Sequence, residues 1–134
     1  MMTIQGVGTH IVESMRLRRM IEHHGETFLR HVFSEREIRF CQARRDATEW
    51  FASIWAAKKA ILQSLGLGSS KNAPWLEIDI ESTGQGEHEI HLTGSSRERR
   101  LEREVAEFRL AMSHCRSYST AFVIAIGIEM PFSE

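Results

Sequence analysis

The chain has 134 residues, of which 42 % are hydrophobic, and a formal net charge of −1 from seventeen basic and eighteen acidic side chains. This length suits a single core, so we expect residues 1–134 to form one domain. The balanced charge predicts no polyanion-binding surface, so we expect no nucleic-acid partner. The longest apolar run, Ala121 to Ile128, is far shorter than the roughly 20 residues that span a bilayer, so we expect no membrane partner.

The N-terminal part of the sequence predicts a strand followed by a broken helix. No charged leader precedes an apolar core here, which favours a cytoplasmic protein. Thr3 to Val7 alternates as a strand does, and His10 then lies at the strand exit. Ser14 caps a predicted helix that runs to about Glu22. Gly25 breaks this helix, and residues 26–32 add another turn or two.

Two capping boxes predict the next two helices. Ser34 followed by Glu37 opens a helix over residues 34–44. Asp46 followed by Glu49 opens the longest helix. This helix is predicted to end at Gly66, because glycine is favoured at the C-terminal end of a helix.

The C-terminal half predicts four strands and one helix. Strict alternation from Leu76 to Ile80 indicates a half-buried strand, and residues 89–94 return as the second strand of a hairpin. Residues 95–108 have the spacing of a surface helix, and residues 109–117 and 118–130 form two closing strands. The fold class predicted is therefore α+β: a mainly antiparallel sheet packed with one long and several short helices.

A lysine on the apolar stripe of the long helix is the first functional signal. Lys58 projects near the middle of that stripe, and Lys59 projects at its edge. A buried ammonium is costly unless an anion meets it or its stem reaches solvent, and both readings stay open. The sequence GLGSSK that follows, residues 66–71, offers backbone N–H groups to phosphate oxygens.

Other site chemistries have weak support. The seven histidines show no zinc-binding spacing with cysteine or with each other. Ser113 and His114 are adjacent and lack the GxSxG turn of a serine hydrolase.

Five segments in order resemble one known family. They are GVGTHIVES (6–14), FLRHVFSEREIRFC (28–41), WAAKKAILQSLGLG (55–68), WLEIDIES with IHLTG (75–82 and 90–94), and MSHCRSYSTAFVIA (112–125). The first resembles the motif G-x-G-x-D-I-V-E, the third F-A-A-K-E-A-x-x-K-A-L-G-T-G, and the last S-I-S-H-T-x-x-Y-A. The chain as a whole resembles a holo-acyl-carrier-protein synthase, the short type of 4′-phosphopantetheinyl transferase, and the resemblance covers almost its whole length.

The resemblance implies a reaction, a cofactor and an assembly. Such enzymes transfer phosphopantetheine from coenzyme A to a serine of an acyl carrier protein and release 3′,5′-ADP. They bind Mg²⁺ through the aspartate of the first motif and the glutamate of K-E-A, because carboxylate oxygens suit that ion. They are usually homotrimers with the site at a subunit interface.

Several site residues carry over by position. Lys58 matches the motif lysine, and Arg16 matches a basic residue used on the nucleotide. The other matching positions are Gly66 and Gly68 in the phosphate-side loop, and Ser113 and His114 near the coenzyme.

The two magnesium positions do not carry over. The motif aspartate is His10 here and the motif glutamate is Lys59. Imidazole is a poor Mg²⁺ ligand, and a protonated lysine has no lone pair. At two further positions where the family has a basic residue, this chain has Ile54 and Gln63. We therefore expect a site that does not hold Mg²⁺ in the family's way.

Three functions remain open from the sequence. The first is a transferase in which Lys59 supplies the positive charge and His10 or His114 takes the serine proton, with Lys58 in the same site. The second is a catalytically inactive paralogue that binds coenzyme A or an acyl carrier protein. The third is an acyl-CoA-handling protein that reuses the fold.

Overall fold

The structure is a computed structural model that describes residues 1–68, 73–83 and 86–128. Its α+β class confirms the prediction. The strands are β1 (Met2–Glu13), β2 (Ile78–Ser82), β3 (His88–Leu92), β4 (Glu107–His114) and β5 (Tyr118–Ile128). The helices are α1 (Ser14–Val32), α2 (Glu35–Gln42), α3 (Ala47–Ser64) and α4 (Gly94–Glu102), and a single 3-10 turn covers Trp75–Glu77.

The strands form two antiparallel sheets. β5 lies between β1 and β4 in a three-stranded sheet, whereas β2 and β3 form a separate two-stranded sheet in the described part of the chain. Helix α3 packs across β1 and β5 and is buried along almost its whole length. It is therefore the central element of the core rather than an amphipathic surface helix.

Two glycines on β1 allow α3 to approach the sheet. A Cβ on Gly6 would overlap the carbonyl oxygen of Ser64, and a Cβ on Gly8 would overlap that of Ala60. Only a residue without a side chain fits between a strand and a helix backbone at this separation. The first glycines of the chain thus set the distance between β1 and α3.

Strand β1 is longer than predicted. It continues past Val7 to Glu13, because residues 6 to 13 pair without a break with residues 118 to 125 of β5. His10 consequently lies within the strand, opposite Ala121, and not at its exit. The glycines of this segment do not end the strand.

The helix signals had mixed outcomes. The capping box of Ser34 and Glu37 is confirmed, and Gly25 has non-helical angles inside α1, as predicted. The box at Asp46 is wrong, because its side chain makes no bond to the helix N-terminus. The predicted helix over residues 95–108 ends at Glu102, after which the chain turns and enters β4.

Parts of three predictions lie outside the described residues. These parts are residues 69–71 of the glycine- and serine-rich loop, residues 84–85 of the hairpin turn, and the end of the last strand at residues 129–130.

The three-stranded sheet has one uncovered face. Successive side chains of a strand point to opposite faces, and those of β1 opposite to Gly6 and Gly8 point away from α3. On this face Val7, Ile11 and Phe122 are among the exposed large apolar side chains. Within the described residues no helix combines the length and apolar character required to cross a membrane.

Candidate active site

A cleft of about 730 Å³ opens between β1, α1, α3 and the 3-10 turn. Its apolar wall consists of Met20, Phe28, Val32, Trp55, Leu62, Leu67, Ala73 and Trp75. Its polar lining consists of Thr9, His10, Arg16, His31, Lys59, Gln63 and Gly68. Volumes of this order hold small organic ligands and cofactors, and a few polar groups on an apolar wall are typical of such sites.

The cleft is electropositive. Burial, with Lys59 and then Arg16, lowers the pKa of His10 below the ordinary histidine value. Burial, and then Arg16, also lowers the pKa of Lys59. No aspartate or glutamate is among the described residues that line the cleft. An anion entering the cleft would therefore meet positive charge and no carboxylate of the described lining.

Lys59 is held over an aromatic ring. Its Nζ lies 4.0 Å from the ring centroid of Trp55, close enough for a cation–π contact. Trp55 is 7 % exposed, and its buried Nε1–H has no acceptor among the residues that the structure describes. Both side chains line the cleft, so Lys59 reaches the cleft from an aromatic support.

Lys58 does not line the cleft. Its side chain is 0 % exposed and forms a 2.7 Å ion pair with Glu37 Oε1, also 0 % exposed. Its Nζ donates to the carbonyl oxygens of Val32, at 2.6 Å, and Trp75, at 3.0 Å. The three donors of the ammonium therefore have three partners inside the protein. The anion that meets Lys58 is an internal carboxylate, and neither solvent nor a phosphate in the cleft reaches its Nζ.

The two loop glycines have different surroundings. Gly68 lines the cleft near Gln63, whereas Gly66 follows α3 with a φ of 75° and lies against Arg103. Gln63 Oε1 accepts a hydrogen bond of 3.2 Å from the backbone N–H of Thr9, which links α3 to β1 beside His10. Of the two glycines, Gly68 is the one that the structure brings to His10 and Lys59.

Ser113 and His114 lie outside this cleft. Ser113 is exposed, and alternation along β4 places it on the uncovered face of the sheet. His114 faces the start of α3, where its Nε2 lies 3.0 Å from Asp46 Oδ2 and its Nδ1 lies 3.3 Å from Ser53 Oγ. The sequence-predicted residues therefore divide into a cleft group and a β4 group within one protomer.

The residues at the family's metal positions do not fit Mg²⁺. Hard cations need oxygen donors, and the cleft offers an imidazole and an ammonium at those positions instead. Among the residues that the structure describes, the one group of three close metal-ligating side chains is Glu81, Glu89 and His91 on the β2–β3 hairpin. None of these three lines the cleft.

Sequence reasoning missed several contributors to these sites. Trp55 was assigned only to the core stripe, although it replaces the phenylalanine of the family motif and so adds an N–H donor. Glu37 was assigned only to a helix cap, and Asp46 likewise. No sequence signal pairs Glu37 with Lys58 or Asp46 with His114, because both contacts join residues far apart in the chain.

Comparison with known proteins identifies a family. Residues 6–123 match the model of the 4′-phosphopantetheinyl transferase superfamily. The chain is 36 % identical over 123 residues to the holo-[acyl-carrier-protein] synthase of Rhodopirellula baltica, covering 92 % of this chain and 98 % of that one. It is 38 % identical over 121 residues to that of Chlamydia muridarum, covering 90 % and 93 %.

Solved structures share the fold. The holo-[acyl-carrier-protein] synthase of Neisseria meningitidis superposes with a TM-score of 0.80 at 24 % identity, covering 92 % of this chain and 98 % of that one. The Helicobacter pylori synthase in complex with coenzyme A gives a TM-score of 0.76 at 24 % identity, covering 89 % and 98 %.

Proposed function

Because this chain belongs to the 4′-phosphopantetheinyl transferase superfamily, we propose that it moves 4′-phosphopantetheine from coenzyme A to a serine of an acyl carrier protein by an atypical, cation-based site. Its curated relatives are holo-acyl-carrier-protein synthases, and structures of this fold include complexes with coenzyme A. Magnesium in the family's manner is not part of this proposal.

The observation that carries the proposal is the electropositive cleft, whose described lining contains no carboxylate. Lys59 and Arg16 line it together with His10. The pyrophosphate of coenzyme A is the anion that such a cleft suits, and fixed cations stabilise charge that develops on phosphoryl oxygens. Lys59 in particular would supply positive charge at the position where relatives with glutamate place a metal ligand.

The step itself needs positioning, charge neutralisation and a proton acceptor. The serine oxygen forms a bond to the β-phosphorus, while the bond from that phosphorus to the bridging oxygen breaks. The electron pair of the broken bond leaves with 3′,5′-ADP, and the serine proton passes to a histidine nitrogen, of His10 or His114. A neutral imidazole near pH 7 is suited to this role. The lowered pKa of His10 keeps its ring neutral at that pH.

Lys58 has a different role in this proposal. Its ion pair with Glu37 joins α3 to α2, and Glu37 also accepts from the backbone N–H of Ile80 in β2, at 2.8 Å. We assign Lys58 to holding the helix that carries Lys59, and not to contact with coenzyme A.

A homotrimer is part of the proposal. Ser113 and the cleft lie on different parts of one protomer, so a site that uses both requires a second copy. The exposed apolar side chains on the uncovered sheet face, such as Ile11 and Phe122, offer a surface for that copy.

The decisive experiment is transfer with and without metal. The protein is incubated with coenzyme A and an apo acyl carrier protein, with added Mg²⁺ or with a chelator, and the carrier is weighed by mass spectrometry. We expect a phosphopantetheine adduct in both conditions. An adduct only with Mg²⁺ would contradict the cation-based site. No adduct with several carriers, together with measurable binding of coenzyme A or carrier, would instead support the inactive paralogue, which the loss of both carboxylates favours.

A double substitution tests the placement of the two residues. His10→Asp with Lys59→Glu restores the carboxylates of the family motif, and we expect it to create Mg²⁺ binding measurable by calorimetry together with Mg²⁺-dependent transfer. Unchanged metal binding and activity would show that His10 and Lys59 do not face the pyrophosphate.

A further inference from the structure

His114 lies in a fixed hydrogen-bonded arrangement that decides which of its nitrogens can be basic. Its Nε2 is 3.0 Å from Asp46 Oδ2, and its Nδ1 is 3.3 Å from Ser53 Oγ. Its ring also packs edge-to-face with that of Trp50, with ring centroids 5.1 Å apart. Asp46, just before α3, and Trp50 and Ser53, in its first two turns, thus hold one imidazole at the end of β4.

The proton on Nε2 follows from the chemistry of its partner. Partial burial acts to raise the pKa of Asp46, but hydrogen bonds, first that from His114, lower it overall. An ionised carboxylate only accepts hydrogen bonds. The 3.0 Å contact therefore requires a proton on Nε2.

The remaining nitrogen faces the protein interior. In a neutral ring with Nε2 protonated, the only lone pair is on Nδ1. This atom lies against Ser53, which is 0 % exposed and whose Oγ–H donates to the carbonyl oxygen of Glu49 at 3.0 Å. In the charged ring both nitrogens carry protons, and neither can accept a further proton. In either state His114 presents no basic nitrogen to a substrate.

We propose that Asp46 is a positioning residue that fixes His114 with its basic nitrogen turned towards Ser53, so that His114 braces β4 against α3 and is not the group that takes the serine proton. This inference rests on the proposed transfer and narrows it. Of the two histidines named as proton acceptors it leaves His10, which lines the cleft with Lys59 and whose ring has no hydrogen-bond partner in the described part of the chain.

The first test measures the ring directly and needs no activity. The full-length protein is labelled with ¹⁵N-histidine, and the ring nitrogen shifts of His114 are recorded from pH 5 to 9. We expect the neutral form to carry its proton on Nε2, Asp46→Ala to shift the ring towards a mixture of the two neutral forms, and Asp46→Glu to restore the original form. A proton on Nδ1, or shifts unaffected by Asp46→Ala, would overturn the inference.

The second test separates bracing from proton transfer. His114→Gln keeps an N–H donor near the position of Nε2 but has no basic nitrogen, whereas His114→Asn has a side chain too short to reach Asp46. We expect kcat of His114→Gln to fall by less than about tenfold with an unchanged pH profile, against losses of about 10² to 10⁴ on removing a general base. We expect His114→Asn to be impaired more than His114→Gln, since it loses the brace. The inference would be overturned if kcat of His114→Gln fell by the amount expected for removal of a general base and the acidic limb of its pH profile disappeared.

The two tests separate this inference from the proposed function. If the unaltered protein transfers nothing to any carrier, the proposed function fails, but the ring shifts still decide whether Asp46 fixes the nitrogen of His114. If transfer occurs and the shifts place the proton on Nδ1, only the inference on His114 fails.

Discussion

At the scale of single residues, two neighbouring lysines on α3 have opposite environments. Lys58 is enclosed with Glu37, whereas Lys59 lies over Trp55 at the wall of the cleft. Adjacent positions on a helix differ by about 100° in direction, which is enough to place one side chain in the core and the other in a site. The two lysines therefore allow matched substitutions in which each serves as a control for the other.

Removing Lys58 is expected to make stability depend on pH. Burial raises the pKa of Glu37 and Lys58 opposes that shift, so Lys58→Met leaves a buried carboxyl with a further raised pKa. An acid whose pKa is raised on folding stabilises the folded state at pH values below its unfolded pKa. This stabilisation is lost as the pH rises from the unfolded pKa to the folded pKa. We expect Lys58→Met to lose about 3 to 5 kcal/mol at pH 8 and less at pH 5, by urea unfolding.

Lys59→Met is the control for this prediction, since Lys59 has no carboxylate partner in the described part of the chain. Its loss of stability at pH 8 should be smaller than that of Lys58→Met, because no buried carboxyl loses its partner. Equal losses for the two variants would show that the Glu37 pair is not the stabilising contact.

The pKa of His10 is expected to report the charge of Lys59. Burial lowers this pKa first, and Lys59 lowers it further. Lys59→Met should therefore raise the pKa of His10 towards its ordinary value, and NMR titration measures the change. Arg97→Met, on an exposed residue of α4, should leave it unaltered. The pKa of His10 is lower in the folded protein than its value of about 6.5 in the unfolded chain. His10 therefore lowers the free energy of unfolding as the pH drops from the unfolded pKa to the folded pKa.

At the scale of elements, the contact between β1 and α3 depends on backbone proximity. Gly8→Ala should force the strand away from the helix, since its Cβ would overlap the carbonyl oxygen of Ala60. We expect a loss of about 3 kcal/mol, as for an overpacked core. Gly68→Ala is the control, because its nearest contact would be 3.4 Å from Gln63 Cα. Denaturant unfolding of both variants measures the difference, and equal stability would contradict the close approach.

These contacts show where sequence reasoning ends. The apolar stripe left two readings of Lys58 open, an anion partner or a stem that reaches solvent, and the structure shows a carboxylate partner. The box of Ser34 and Glu37 was correct as a local signal. The identity of the anion was not predictable, because Glu37 comes from another helix. Asp46 matched a cap pattern, but its side chain instead bonds to His114, which is 68 residues away. Local spacing predicts elements, whereas pairing across the fold decides which polar groups meet.

At the scale of the whole molecule, the uncovered face of the three-stranded sheet is the surface on which the proposed homotrimer depends. Val7 of β1 is paired with Ile124 of β5, and Thr9 with Phe122, so these side chains share one face. Phe122 is 45 % exposed although it lies in the central strand of the sheet. Central strands are usually covered on both faces when their side chains are apolar, which is why a second copy of this chain is the proposed cover.

A charge on this face should therefore separate the subunits of the proposed homotrimer. Phe122→Asp would bury a carboxylate in an apolar interface, so we expect the oligomer to dissociate in light scattering coupled to size-exclusion chromatography. Leu101→Asp is the matched control, because Leu101 is also an exposed apolar residue, at 66 %, but lies on α4 and not on the sheet. If the site is shared between copies, transfer by Phe122→Asp should fall by more than tenfold while its circular dichroism stays that of a folded chain. A folded monomer with full transfer would contradict the shared site, and an unchanged oligomer would contradict the use of this face for assembly.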